Sequence, residues 1–350
     1  VAYSGAASAA LVLSRDEVAS SIAGVADGLA RFVILWMVIS SAGQHVETLM
    51  AGAFFAGGLT ALAISMGLKP RVSFSAVHDE FTSVSGSALA FSVLVGMVMW
   101  MDKPLLYVLD GQIAVGNYFA VQRTVVFIGS AAVVITGMVS HRFSEIGRNK
   151  GLRLVTLMER YASLCVIPMG AFYVAFSAPI VSTFFGAGYA AQNELVHPLV
   201  VAGIFAALAS PSVSWLADGH GWRSLSSAAA LWLALMVAIP YALLEAGALS
   251  NPSMAVAVGC AASSMAFYAL VRLNLLRAGA FFHGHILKHV ACATLMALAL
   301  YWTSTGFAAL GFVELVFLAM AGVLLYGLLL YLFGEFMQGE YGEFKALRGV

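Results

Sequence analysis

Charge is what this sequence has least of. Only 10% of its 350 residues are Asp, Glu, Lys or Arg, against about 25% in soluble domains, while 61% are hydrophobic. A chain so poor in charge cannot cover its apolar surface in water, so it must be solvated by lipid. Basic and acidic residues number 17 each, so the net charge is zero and nothing invites nucleic acid. Cysteine is nearly absent. Cys165, Cys260 and Cys292 stand singly in apolar segments without metal or redox spacing, which points to core packing. His283, His285 and His289 gather beside Lys288, but no cysteine or acid lies near them in sequence. Ser/His/Asp arrangements, phosphate-cradling glycine loops and Walker-type lysines are missing too, so neither a metal nor a cofactor is expected.

What the chain does contain is long apolar runs bounded by Gly, Pro, Asn or charge, with a mean hydropathy of +0.93. They predict an all-α, polytopic membrane bundle of about ten helices, near 18–41, 44–67, 83–109, 113–138, 159–184, 195–217, 224–245, 252–274, 286–305 and 310–334. Ser250-Asn251-Pro252 is a good helix start, a capping residue before a first-turn proline. Pro104, Pro168, Pro179, Pro211 and Pro240 fall inside spans, where each frees a carbonyl and bends the helix. Residues 1–14 are apolar, too short to cross a bilayer, and lack the basic start of a signal peptide. They read as the tail of a span whose beginning lies upstream, so the chain is expected to be a fragment.

Basic residues give the direction. With Arg15 in the cytoplasm, Lys69, Arg71, Arg142, Arg148, Lys150, Arg153, Arg160, Arg223, Arg272, Arg277, Lys288, Lys345 and Arg348 fall on the same side. That is fourteen of the 17, and the opposite loops hold none. This split obeys the positive-inside rule and puts the C-terminus and the loop 139–160 in the cytoplasm of a multi-pass protein of the inner cell membrane. The loop 139–160 also suits anionic membrane lipid. Outward loops are too short to hold a conventional active site, so an enzyme is not expected.

Three basic residues remain within spans: Arg31, Lys103 and Arg123. A charge at bilayer centre costs about 2.5–3.5 kcal/mol on the lenient insertion scale, and usually faces a cavity or a partner. Asp27 precedes Arg31 by one helical turn, so the two either neutralise each other or line a cavity together. Arg123 has no acid three or four residues away, and its face (Gly116, Ala120, Arg123, Phe127, Ser130) is mostly small. It either bridges to Asp102 on the preceding helix or, with Lys103, offers positive charge to an anionic ligand. Its planar fork matches phosphate. For Lys103 the alternative is to snorkel to the outer interface.

The stretch 102–145 that holds these residues also carries a family pattern. Asp102 late in a span is followed by Leu105-Leu106 and by Gly111, Val115, Gly116, Asn117 and Tyr118. After these come a basic span end at 140–145, Ile167-Pro168, the turn Phe185-Gly186-Ala187-Gly188-Tyr189, and Asp218-Gly219-His220-Gly221. In order and spacing the set resembles the polysaccharide-transporter branch of the multidrug/oligosaccharidyl-lipid/polysaccharide (MOP) flippases, the Wzx-like O-antigen and exopolysaccharide flippases, over about residues 20–275.

The resemblance implies two helical lobes around a central cavity and alternating access. Residues 1–75 would be the remnant of a first lobe, 76–280 a second six-helix lobe, and 281–350 two additional helices and a tail. It implies a lipid-linked oligosaccharide on a polyprenyl-pyrophosphate carrier as substrate, and other polysaccharide-assembly proteins as partners. Arg123, Lys103, Asp102, Arg31, Asp27 and Asn117 are the substrate-binding candidates. The alternatives are a cation-coupled drug or metabolite exporter of the same superfamily, and a membrane enzyme or scaffold of polysaccharide assembly.

Overall fold

A computed structural model of the chain divides into two compact units, Val1–Ser85 and Gly86–Val350. The structure describes residues 86–140, 143, 148–218, 221–279, 284–304 and 311–335, all from the second unit. The expected helices 18–41 and 44–67, with Asp27 and Arg31, lie outside the described residues.

The described chain is helical: α1 (Gly86–Ser140), α2 (Arg148–Ala175), α3 (Ser177–Phe185), a 3-10 segment (Ala187–Leu195), α4 (Val196–Asp218), α5 (Trp222–Glu245), α6 (Pro252–Arg277), α7 (His285–Ser304) and α8 (Phe312–Leu332). α1 is nominally 55 residues long but is non-helical at Gly111, with φ 83° and ψ −173°. That conformation belongs almost solely to glycine. The reversal is complete, because Gln122 of the second arm (112–140) hydrogen-bonds Asp102 of the first (86–110). A straight helix would hold those residues about 30 Å apart. One glycine therefore does the work of the turn that the sequence places at 110–112.

Six helices are long and apolar enough to cross a membrane, and the bent pair α2/α3 makes a seventh. With α1 counted as two arms, the described residues supply eight crossings, at the places the sequence predicts. The chain is a multi-pass membrane protein. One span differs from expectation. Instead of a single run over 159–184, α2 begins at Arg148 and turns by 83° into α3. Pro179 sits in the first turn of α3, where the missing N–H costs least, and it cannot continue α2.

α1 packs with α4 and α5, and α6 closes against α4 and α5; α2 lies on α4, and α7 on α2 with α8 against α7. Tyr118, Val121 and Ile128 of the second arm are fully buried beside Val200, Leu208 and Val256. Close approach is explicit at the α5/α6 crossing. A Cβ on Gly259 would stand 2.6 Å from Pro240 Cγ, so only glycine fits against that ring. Asn251 caps α6, its Oδ1 accepting from Met254 N at 3.3 Å, as the Ser-Asn-Pro signal anticipates.

Candidate functional site

Folding α1 back on itself brings three of the predicted residues to one level of the hairpin. Asp102 is 1% exposed. Its Oδ1 receives Lys103 Nζ at 2.9 Å and Lys103 N at 3.0 Å, and its Oδ2 receives Gln122 Nε2. The acid is thus already neutralised and its lone pairs largely used. The expected alternative of an Asp102–Arg123 bridge is not formed. Lys103 turns along its own helix to the neighbouring buried carboxylate.

Arg123 is left over. It is exposed, and its guanidinium carbon lies 4.5 Å from the Phe119 ring centroid. Among the described residues it has no carboxylate partner. Lys103 Nζ sits 5.1 Å from the Trp100 ring and 5.7 Å from the same Phe119 ring, so both cations share one aromatic wall. Arg123 follows Gly111 by twelve residues, about 18 Å of helical rise along the second arm. Gly116 and Phe127 of its face are exposed with it. Asn117 is half-buried on a different face of the same arm and lines a small cavity at the hairpin end.

Two further charged clusters were not anticipated. Glu159 of α2 meets Arg272 of α6 at 2.7 Å and accepts a hydrogen bond from Ser212 of α4, all three buried. One residue on, Arg160 Nε donates to Glu335 Oε1 at 2.7 Å and its Nη2 to the Glu335 carbonyl at 2.7 Å. Glu335 Oε1 also meets His285 Nδ1 at 3.1 Å and His289 Nε2 at 3.2 Å, while Ser163 Oγ lies 2.7 Å from His289 Nδ1. Burial pushes the Glu335 carboxyl up. The Arg160 guanidinium, His285, the Arg160 hydrogen bond and His289 pull it down further, leaving it below the ordinary carboxylate range.

These findings revise two expectations. Arg160 and Arg272, counted among the cytoplasmic-side charges, are buried within α2 and α6 and paired with acids. The histidine cluster does have an acid, delivered from 46 residues away by the chain end after α8. A signal for Glu159 was present in the sequence: Leu152, Val155, Glu159, Ala162 and Val166 form one buried stripe at helical spacing.

Among the described residues, charges are paired at helix crossings, while Arg123 lies exposed beside Phe119. The chain's fold is an all-α bundle shared with a solved membrane flippase. Among solved structures, the chain superposes on the lipid II flippase MurJ in an inward closed conformation. The TM-score is 0.71, and the 14% identity extends over 87% of this chain and 66% of that one. The chain thus spans just under two thirds of the length of that flippase. No protein-family model and no curated protein matches it.

Proposed function

We propose that the chain takes part in flipping a lipid-linked oligosaccharide, a polyprenyl-pyrophosphate sugar, across the inner cell membrane by alternating access, in surface polysaccharide biosynthesis. The observation that supports this reading is Arg123: exposed, on a face of small residues, with the nearby acid already taken by Lys103 and Gln122. A guanidinium turned to acyl chains would carry a heavy desolvation cost, so this face belongs to a wet cavity. Arg123 would grip the pyrophosphate through two parallel hydrogen bonds, and Lys103, held by Asp102, would add charge at its edge. The fold adds weight, since the solved structure it resembles is a lipid II flippase. In this reading the basic ends of the helices and the C-terminus are cytoplasmic and the hairpin turn at Gly111 faces outward.

A cation-coupled exporter is the second reading, and it wants an unpaired carboxylate within the helices. Asp102 and Glu159 both have basic partners instead, which favours the anionic substrate. The test is Arg123→Ala at unchanged abundance in cells that make the polymer. Surface polysaccharide is lost, and Arg123→Lys restores part of it by keeping the charge without the fork. Wild-type polymer output from Arg123→Ala removes the anion site and the proposed function with it.

A further inference from the structure

The start of α2 and the end of α6 meet at one end of the bundle. Arg148 Nη2 donates to the Ala278 carbonyl at 3.4 Å. Beside that contact Leu152, Val155 and Met158 of α2 and Leu275 of α6 form a small apolar cluster of their own, apart from the main core. Four cations belong to the same junction, Arg148, Lys150 and Arg153 from α2 and Arg277 from α6, and all are exposed. Among the described residues none of the four has a carboxylate partner. The described acids at this end are Glu159 and Glu335, buried and held by Arg272 and Arg160, and Asp218, which closes α4. Like charges gathered in this way repel one another unless an anion comes between them.

The junction also runs into an apolar track. Met265, Ala269, Leu273 and Arg277 recur at every fourth residue of α6, so they lie along one face, and all four are exposed. Met265 is 45% and Leu273 49% exposed, with Leu276 beside them at 37%. From Met265 to Arg277 the helix rises about 18 Å. One leaflet contributes half of a hydrocarbon core about 30 Å thick, so the track is about as long as an acyl chain is deep. It ends on a cation, where a phosphate stands above its chain.

The two halves together select the occupant. Inorganic phosphate or a nucleotide would meet the cations and leave the track idle. A zwitterionic lipid fits the track, but its own ammonium already offsets its phosphate. An acidic protein segment would lie across the end of the track without filling it. Of these, only an anionic phospholipid uses both, its headgroup on the cations and its chain along α6.

We propose that the α2/α6 junction binds an anionic phospholipid of the leaflet it meets. Lys150, Arg153 and Arg277 hold the phosphate, and Met265, Leu273 and Leu276 carry an acyl chain. Arg148, engaged with Ala278, keeps the two helix ends together. None of these residues belongs to α1, and the proposal does not rest on the flippase reading.

Native mass spectrometry of the full chain, released from nanodiscs of equal phosphatidylglycerol and phosphatidylethanolamine, tests the site. Phosphatidylglycerol is retained in severalfold excess. Lys150→Gln, Arg153→Gln and Arg277→Gln each lower that retention about fivefold, and Arg277→Lys keeps most of it. Leu273→Asn lowers it severalfold while every cation stays in place. Arg223→Gln, at the start of α5 where Trp222 packs on Phe91 of α1, leaves it unchanged. All these side chains are exposed, and gel filtration confirms that each variant is folded before it is measured. Equal retention of the two lipids overturns the proposal. So does an excess that survives the triple Lys150→Gln/Arg153→Gln/Arg277→Gln variant, or one that Arg223→Gln reduces as much as Arg277→Gln does. Displacement of the lipid by inorganic phosphate at matched concentration, or indifference to Leu273→Asn, overturns it equally, because the track would then play no part.

Discussion

Arg272 is 6% exposed and meets the Glu159 carboxylate at 2.7 Å, whereas Arg123 is exposed and rests over the Phe119 ring. Both are arginines within apolar helices. One is sealed with a partner on another helix, with Ser212 completing the acid's coordination. The other has an acid within reach of its own hairpin and is denied it, because Lys103 and Gln122 got there first. Charge that holds helices together is balanced and dry. The charge assigned to a ligand under the proposed function is unbalanced and open. What separates the two arginines is whether the fold spends a carboxylate on them.

The largest effect is expected where the sealed pair is opened. Arg272→Ala leaves Glu159 buried without its cation, and breaking a buried pair from one side costs about 3–5 kcal/mol. Folded yield in detergent should collapse. The double variant Glu159→Gln/Arg272→Met removes both charges and should recover most of it, since a buried pair replaced by neutral groups of like size is often neutral or better. If the double variant folds no better than Arg272→Ala, the pair is not the stabilising unit described here.

The Arg160–Glu335 cluster has the same logic nearer the end of the helices and adds a pH dependence. The Glu335 carboxyl is held below its usual range by Arg160 and the histidines. A carboxyl depressed on folding gives stability that is fully present above its unfolded value, about 4.3 for Glu, and is lost as pH falls through the folded one. Thermal unfolding of the wild type should therefore lose a step of stability below about pH 4. Glu335→Gln should lose that stability already at neutral pH and show no such step. An identical acid profile in both proteins would show that the chain end after α8 is held by something else.

Much of the architecture could be read directly from the sequence, and the failures have one cause. Eight of the ten expected spans fall on described residues, and apolar length with helix-breaking signals placed all eight, because burial in lipid acts on every residue of a run. The capped start at Asn251 and the reversal near Gly111 were legible because each depends on one local residue type. Pairing was not. Glu159 and Arg272 lie inside the expected spans 159–184 and 252–274, but nothing local to either run says that each neutralises the other. The positive-inside count took in Arg160 and Arg272 as aqueous charges, whereas both are buried in ion pairs. Asp102 was matched to Arg123 by proximity across the turn, when the nearer competitor was its own neighbour Lys103. Glu335 could not be matched to Arg160 at all, since only the tertiary fold brings the end of α8 back to α2.

The hairpin itself offers a gentler test of the contrast. Gly111→Ala forces a side chain into a backbone region that only glycine occupies comfortably, at a cost of about 1–3 kcal/mol. A Cβ there meets no atom within 4 Å, so the penalty is purely conformational. The reversal relaxes by shifting the arms, which loosens Gln122 from Asp102 and frees that acid for Arg123. Partial loss of transport with nearly normal folded yield is expected. Unchanged transport with the strained turn intact would mean that the Asp102–Lys103 pair does not need the hairpin geometry.

The smallest effect on stability belongs to Arg123 itself, and that smallness is the point. Its only described contact is the Phe119 ring, worth about 0.5–1 kcal/mol at an exposed site. Arg123→Gln should therefore change unfolding by no more than that, while Arg272→Ala abolishes folded yield. Phe119→Leu should be equally mild on folding yet weaken transport, because it removes the wall that keeps the guanidinium pointed along its face. Measuring both variants for denaturation in detergent and for polymer export gives two independent axes. A ligand-facing arginine moves the second and hardly the first. Should Arg123→Gln destabilise the protein by several kcal/mol, as expected for a sealed charge, Arg123 would be a structural residue like Arg272.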